Sequence, residues 1–239
     1  IKKINTRNII TYSLKNKSAD VFIDNVSFKK DTTNFRININ KKINNFRKKS
    51  QYKIKAIGDH NVLNGCASII ACLQVGIKDK YIKTALKNYN GVKRRFSFIG
   101  NVNAAKIYDD YAHHPTEIAA TFSAANKIAN NVVIIFQPHR FTRTKILLKE
   151  FVNILSKVKK LYVLKTYSAG EKLIKNATSV KMVREIAKKN PNVVYINKDS
   201  NIYDFIIKET QSKKLIIFMG AGSITKLAHN FIKYNDRKS

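Results

Sequence analysis

The second part of the sequence alternates short apolar runs with amphipathic segments, and this alternation limits the folds that it can adopt. Runs with the length and composition of buried strands are Ala104–Tyr108, Val132–Phe136, Leu161–Leu164, Val193–Ile196 and Leu215–Met219. Segments with helical spacing of apolar residues are Thr116–Ile128, Thr144–Val158, Ser179–Lys189, Ser200–Glu209 and Ser223–Tyr234. The alternation predicts βαβ units, and therefore an α/β fold with a doubly wound, mostly parallel, Rossmann-like sheet.

The part of the sequence before Gly91 has a different pattern. Its first section is rich in Lys and Asn, with three segments in which apolar and polar side chains alternate. These segments are Val21–Phe28, Phe35–Ile39 and Gln51–Ile57. Alternation of this kind predicts half-buried strands, here in an antiparallel meander. The polar run Asn38–Ser50 predicts an exposed turn.

Two helices are predicted after the meander. Over His60–Val75 the apolar residues recur with helical spacing, and the stripe consists of Val62, Leu63, Cys66, Ile69, Ile70 and Leu73. Gly76 suits the position just after a helix end. The second helix, Asp79–Tyr89, stops before a basic segment, Gly91–Phe96. We place a domain boundary there, which gives domains 1–91 and 92–239, and we expect the second domain to fold independently.

The composition limits the class of protein. The chain has 46 Lys and Arg against 15 Asp and Glu, a net charge of +31, which favours polyanionic ligands. The basic residues are spread along the whole chain without a nucleic-acid-binding motif, so a general drift toward Lys, Ile and Asn is the favoured explanation. No apolar run is long enough to span a membrane. Cys66 and Cys72 are too few for a metal cage or a disulfide framework, which fits a reducing cytoplasm.

The stretch Asp109–Glu117 concentrates the reactive side chains. It holds two consecutive carboxylates, a phenol and two imidazoles between a predicted strand and a predicted helix. Ligands of open α/β sheets bind at the carboxyl ends of the strands, so this turn predicts a binding site. Pro115 suits the first helical turn. The alternative interpretation is a capped helix start with a charged loop.

The loops after three other strands lie at the same predicted edge. They are Gln137–Thr144, Lys165–Glu171 and Gly220–Ser223. Arg140 and Arg143 come at a helix start, where cations are disfavoured, and this indicates an anionic ligand unless the helix start is simply solvated. The Gly-Ala-Gly turn could present backbone N–H groups to an anion, but a tight turn explains it equally well.

Asn61 and Asn64 are three residues apart and share one face near a helix start. Their amides can both donate to and accept from an adenine edge. Asparagine is also common as a helix cap, and capping is the favoured interpretation of this pair by itself.

These residues together resemble the Mur ligase family. The resemblance runs from about residue 56 to residue 230, and Val21–Phe28 is similar to the strand region before it. It is carried by His60–Asn64, Arg94–Phe96, Asp109–Glu117, Gln137–Thr144, Tyr167–Glu171 and Gly220–Ile224. It implies that residues 1–91 are the C-terminal part of the central ATP-binding domain and 92–239 the C-terminal domain. Phe136–Thr144 favours the alanine-adding members over the murein-recycling ligases.

The resemblance also implies an activity. In this family ATP phosphorylates a carboxylate, here that of UDP-N-acetylmuramate, and the amine of L-alanine attacks the acyl phosphate with the aid of Mg²⁺. The implied ATP-binding residues are Asn61, Asn64, Arg95 and Asp110, and the implied substrate-binding residues are Tyr111, His113, Arg140 and Arg143. The asparagines would contact adenine, Arg95 the base and Asp110 the ribose, and His113 is also the expected catalytic residue.

The sequence departs from the family pattern in lacking one motif and in its high net positive charge. The sequence contains no Gly-x-x-x-x-Gly-Lys-Ser/Thr loop, and it begins Ile1-Lys2-Lys3 without an initiator Met or a signal peptide. We therefore expect a fragment whose Mg²⁺ ligands and UDP-binding domain lie upstream, and which does not hydrolyse ATP alone. The alternatives are a related murein-peptide ligase and a basic polyanion- or nucleic-acid-binding module.

Overall fold

The computed structural model describes residues 9–29, 32–40, 49–89, 92–197 and 202–236. The chain divides into two compact units, residues 1–91 and 92–239. Among the described residues, none of the helices combines the length and apolar character needed to cross a lipid bilayer.

Unit 1 is a small sheet packed against one face of a helix. Its elements are β1 (Tyr12–Ser13), β2 (Val21–Lys29), β3 (Thr32–Ile39), β4 (Lys49–Ile54), α1 (Asp59–Gln74) and α2 (Asp79–Asn88). β2, β3 and β4 form the predicted antiparallel meander, and β1 adds a short parallel pairing to β2 that was not predicted. The buried stripe of α1 packs against the alternate, inward-facing residues of the strands. Residues 41–48 of the predicted exposed turn lie outside the described residues, and its two ends belong to β3 and β4.

Unit 2 is the predicted doubly wound sheet. Its elements are β5 (Ser97–Val102), β6 (Ala105–Asp110), α3 (Pro115–Asn126), β7 (Val132–Phe136), α4 (Phe141–Ile146), α5 (Leu148–Leu155), β8 (Lys160–Leu164), α6 (Ser179–Ala187), β9 (Val193–Ile196), α7 (Ile202–Glu209), β10 (Leu215–Met219) and α8 (Ile224–Asp236). The strand order is β5-β6-β10-β7-β8-β9, and only the edge strand β5 pairs antiparallel. Helices α3, α5 and α6 cover one face, and α7 and α8 cover the other.

Two elements of unit 2 differ from the sequence prediction. The strand β5 was missed because its sequence mixes polar residues with Gly100, and a bulge interrupts its pairing to β6 between Phe98 and Gly100. The single helix predicted over Thr144–Val158 is instead two helices. They are divided at Leu147, whose φ of −104° and ψ of 20° depart from helical values.

Unit 2 is expected to fold without unit 1, because both of its hydrophobic clusters are built from residues after Arg95. A polypeptide of residues 92–239 should show one cooperative urea transition, followed by circular dichroism. Limited proteolysis of the whole chain should leave a stable piece of that size. Digestion without such a piece, or a non-cooperative transition of the isolated unit, would contradict this expectation.

Candidate active site

The candidate site lies at the carboxyl edge of the unit 2 sheet. Strands β6, β10 and β7 are neighbours there, but α3 leaves β6 on one face while α8 leaves β10 on the other. A crevice opens where neighbouring strands send their connections to opposite faces, and α/β proteins bind ligands in such crevices. Of the predicted site residues, Asp110, Tyr111, His113, Arg140 and Arg143 end or follow β6 and β7.

Asp110 is the last residue of β6 and is buried, with 2% of its surface exposed. The apolar run predicts that the strand ends at Tyr108 and that Asp110 lies in the turn after it, but pairing of β6 with β10 continues as far as Asp110 and Met219. Its carboxylate accepts hydrogen bonds from Phe96 N at 2.7 Å, Ala112 N at 2.6 Å and Thr121 Oγ1 at 3.1 Å. Burial outweighs these bonds and raises the pKa of Asp110 to about 6. The ribose contact implied by the resemblance stays a prediction.

Arg94 joins the segment before β5 to the edge of the sheet. Its Nη2 donates to Gly220 O at 3.1 Å, and its guanidinium lies 4.6 Å from the ring centre of Tyr111. Its buried Nε has no hydrogen-bond partner among the described residues and lies 3.7 Å from Oδ2 of Asp109. Asp109 is itself buried, accepts a hydrogen bond from Thr225 and has a pKa raised by burial. The resemblance to the Mur ligases implies a role only for the second arginine of this pair, Arg95.

That second arginine, Arg95, has a half-exposed side chain. Its Nη1 lies 3.4 Å from Oε1 of Glu117, and its guanidinium carbon lies 5.9 Å from the ring centre of Tyr111. The other carboxylate oxygen of Glu117 accepts hydrogen bonds from the backbone N–H groups of His113 and His114. His114 is the N-cap of α3 and completes a capping box with Glu117. The helix start is therefore capped, as the alternative interpretation held, and Arg95 stays open to a planar ligand.

Four aromatic or imidazole rings form a row across the edge. The ring centres are 5.1 Å apart between Tyr111 and His113, 5.7 Å between His113 and His139, and 5.5 Å between His139 and Tyr167. Nδ1 of His113 lies 2.9 Å from Tyr111 O, which fixes the direction of its ring. Burial, and then the neighbouring His113 and Arg143, lower the pKa of His139. The row connects the loops after β6, β7 and β8, and its last two members, His139 and Tyr167, have no role predicted from the sequence.

Arg143 lies next to this row, while Arg140 is more exposed. Nη1 of Arg143 is 3.3 Å from Nδ1 of His139. Arg140 occupies the N-cap position of α4 with a positive φ of 70° and makes no side-chain cap. The carboxylate of Glu171 instead accepts hydrogen bonds from Thr142 N and Oγ1 at this helix start. Glu171 thus supplies a negative charge within the chain, so the two arginines do not by themselves require an external anion.

The turn Gly220–Ser223 is explained by tight packing. A Cβ atom on Gly222 would lie 2.6 Å from Oε1 of Gln137 and 2.6 Å from the ring of Tyr167, so only glycine fits. Gln137 is buried, and its Oε1 accepts a hydrogen bond from Ile224 N at the start of α8. This backbone donor is therefore satisfied within the chain. The structure therefore supports the tight-turn interpretation, and an anion contact of the turn's own N–H groups stays a prediction.

The asparagine pair lies on α1 in unit 1. Asn61 Nδ2 donates to Ile57 O at 2.9 Å, and Asn64 is exposed. The N-cap of α1 is Gly58, and no side chain caps this helix. The capping interpretation is therefore wrong for both asparagines, and the adenine contact stays a prediction.

A magnesium site is not formed by the residues that the structure describes. Within these ranges no group of three or more His, Cys, Asp or Glu side chains is arranged to hold a metal ion. The two consecutive carboxylates at the end of β6 do not fit the ion either, because both are buried and hold protein donors.

Comparison with known proteins gives matches over both units. A family model described as "Mur ligase, glutamate ligase domain" matches residues 94–222, and one described as "Mur ligase middle domain" matches residues 1–72. UDP-N-acetylmuramate–L-alanine ligases from Hydrogenobaculum and Caldicellulosiruptor bescii are 35% and 36% identical over 229 and 234 residues. Those alignments cover 95% and 98% of this chain but 49% and 50% of the relatives. The chain therefore spans about half the length of these curated relatives.

Solved structures show the same fold. A UDP-N-acetylmuramate-alanine ligase from Thermotoga maritima matches with a TM-score of 0.77 and 22% identity, covering 96% of this chain and 48% of that chain. A murein peptide ligase from Psychrobacter arcticus matches with a TM-score of 0.62 and 21% identity, covering 91% of this chain and 44% of that chain.

Proposed function

The chain belongs to the Mur ligase family, and from this premise we propose that it serves the ATP-dependent ligation of L-alanine to UDP-N-acetylmuramate. The reaction would join the amine of alanine to the muramic acid carboxylate in cytoplasmic synthesis of peptidoglycan precursors. The observation that carries the proposal is the cluster of His113, His139 and Arg143 at one sheet edge, within motifs shared with this family. The 35–36% identity to alanine-adding relatives supports the choice of substrates.

The proposed chemistry needs charge neutralisation more than covalent participation. A carboxylate that becomes an acyl phosphate, and then a tetrahedral intermediate, carries negative charge throughout. We assign Arg143 and Arg140 to bind that charge, and Tyr111 and His113 to position the reacting group, with His113 as the catalytic residue. The lowered pKa of His139 favours its neutral form, so its Nδ1 can accept the hydrogen bond from Arg143 and aim the guanidinium.

We assign nucleotide binding to Asn61, Asn64, Arg95 and Asp110. The exposed Asn64 and half-exposed Arg95 can reach a ligand as they stand. The carboxylate of Asp110 already accepts two protein donors on Oδ2 and one on Oδ1, so a ribose hydroxyl would donate to the remaining acceptor position on Oδ1. Mg²⁺ would neutralise the phosphates of ATP. The described residues do not form its site, so no step here passes through the ion.

A chimera tests the proposal. The 239-residue chain replaces the matching half of the Thermotoga maritima ligase, and phosphate release is measured with ATP, UDP-N-acetylmuramate and L-alanine. We expect release that depends on all three compounds. Arg143→Ala should lower kcat/KM by about thirtyfold, since it removes a charge-assisted contact worth about 2 kcal/mol. Arg184→Ala removes an exposed arginine of α6 and should leave the rate unchanged.

Other results of the chimera experiment would favour one of the two alternative functions. Use of a murein tripeptide in place of alanine would make the chain a murein-peptide ligase. If the chimera makes neither product while the chain binds DNA at high salt, the basic polyanion-binding module replaces our proposal. The 239-residue chain alone, without the half supplied by the Thermotoga maritima ligase, should release no phosphate from ATP, because its sequence has no phosphate-binding loop of the usual pattern.

A further inference from the structure

Two loops at the carboxyl edge are joined along their length. We define the arginine turn as Gln137–Thr144 and the clamp loop as Lys165–Glu171. Tyr167 N donates to Pro138 O at 2.8 Å, and Arg140 N donates to Tyr167 O at 2.8 Å. These bonds frame an isolated parallel bridge between the loops, so the conformation of one loop is set by the other.

The clamp loop ends in a carboxylate that holds the start of α4. The side chain of Glu171 accepts hydrogen bonds from Thr142 N at 3.0 Å and from Thr142 Oγ1 at 2.6 Å. The hydroxyl and amide of Thr142 keep the pKa of Glu171 below its usual value. Glu171 N in turn donates to Ser168 O, which closes a turn within the clamp loop.

The arginine turn needs this support because its own residue at the cap position cannot cap. Arg140 has a guanidinium, which only donates hydrogen bonds, and its φ of 70° is strained for a residue with a Cβ atom. Backbone strain of this kind persists only where surrounding contacts hold it. Glu171 supplies from another loop the acceptor that an N-cap side chain normally provides.

We propose that Glu171 is a positioning residue for the ligation reaction, a role that rests on the proposed function. Its carboxylate fixes Thr142 and the first turn of α4, on which Arg143 reaches Nδ1 of His139 at 3.3 Å. The guanidinium is thereby presented in one orientation to a substrate that carries a carboxylate. Glu171 acts through Thr142 and Arg143.

Kinetics of the chimera test this role. Glu171→Ala should raise KM for UDP-N-acetylmuramate at least tenfold while KM for ATP stays within twofold. Glu171→Gln, which keeps an acceptor oxygen, should give an intermediate KM. Glu185→Gln is the matched control, because it removes a partly exposed carboxylate of α6 that pairs only with Lys181 and Lys188 in the described contacts. In an Arg143→Ala background, Glu171→Ala should add less than twofold.

A second measurement on the 239-residue chain needs no activity. In the NMR spectrum, Glu171→Ala should shift or broaden the Arg143 Nε–Hε signal and speed hydrogen exchange of the Thr142 amide, and Glu185→Gln should do neither. An unchanged Arg143 signal, or a Glu171→Ala enzyme whose KM equals that of Glu185→Gln, would overturn the positioning role. A chimera that makes no product with the unaltered chain would count against the proposed function, and the NMR comparison would still decide whether Glu171 orders Arg143.

Discussion

Gly220→Ala is expected to destabilise unit 2 by about 4 kcal/mol, since overpacking and backbone strain each cost about 1–3 kcal/mol. A Cβ atom at this position would lie 2.7 Å from the backbone oxygen of Gln137 and 3.3 Å from Cγ2 of Ile224. Its φ of +152° is also unfavourable for any residue with a Cβ atom. The backbone cannot easily shift, because Gly220 N donates to Asp110 O and Gly220 O accepts from Arg94. Urea unfolding followed by circular dichroism would measure the loss.

Gly170→Ala is the matched control for the close contact. Gly170 also has a positive φ, +85°, but a Cβ atom there would meet nothing within 4 Å. Its substitution should therefore lower the free energy of unfolding only through backbone strain at a positive φ, by about 1 kcal/mol. Equal losses at Gly170 and Gly220 would show that strain alone, without the contact to Gln137, governs the turn after β10.

The strands of unit 2 that are buried on both faces could be predicted from the sequence almost to the residue. Val132–Phe136 and Leu215–Met219 have the predicted bounds, because parallel strands between two helix layers need continuous apolar runs. Val193–Ile196 is a partly buried edge strand, and it also has the predicted bounds because its sequence is an apolar run. The edge strand β5 has no such requirement, since its pairing to a single neighbour tolerates polar residues. The break at Leu147 could not be predicted, because both helices continue the same apolar spacing.

The loops of the candidate site could be predicted from the sequence, but the side chains that face one another could not. The carboxyl-edge rule predicts His113 and Arg143 in loops at the same edge of the sheet, and the structure joins them through His139. The spacing of residues along the sequence does not show whether Arg94 or Arg95 turns its side chain toward the sheet. The positive φ of Arg94, 61°, directs its side chain to Gly220, and no periodic pattern encodes that angle.

The burial of Asp109 and Asp110 also could not be predicted from the sequence. Paired carboxylates in a turn predict a solvated binding site, but the strand continues through both residues and buries them. The hydrogen bonds of Asp110 then connect the segment before β5, the loop after β6 and helix α3. The segments that carry Arg95 and His113 are therefore both hydrogen-bonded to the buried carboxylate of Asp110. The ionisation of this carboxylate affects the stability of the carboxyl edge of the sheet.

Asp110→Asn is expected to change the pH dependence of stability by about 3 kcal/mol. Burial raises the pKa of Asp110 from 3.8 to about 6, and each pH unit is worth about 1.4 kcal/mol. Because the folded state holds this proton more tightly than the unfolded chain does, its stabilising effect is fully present below pH 3.8 and is lost as the pH rises through 6. The unfolding free energy of the original protein minus that of the variant should therefore fall by about 3 kcal/mol between pH 3.5 and pH 7.

The difference in unfolding free energy between the original protein and the variant isolates the effect of Asp110 from that of carboxylates whose pKa values are shifted in the opposite direction. Glu117 and Glu209, for example, have lowered pKa values, and their stabilisation is lost as the pH falls. They are unchanged in the variant and cancel in the difference. Asp204→Asn, which removes an exposed carboxylate of α7, gives the effect of charge alone. A difference that is flat with pH, or equal to that of Asp204→Asn, would mean that Asp110 is ionised at no cost. Its hydrogen bonds to Phe96, Ala112 and Thr121 would then fully compensate its burial.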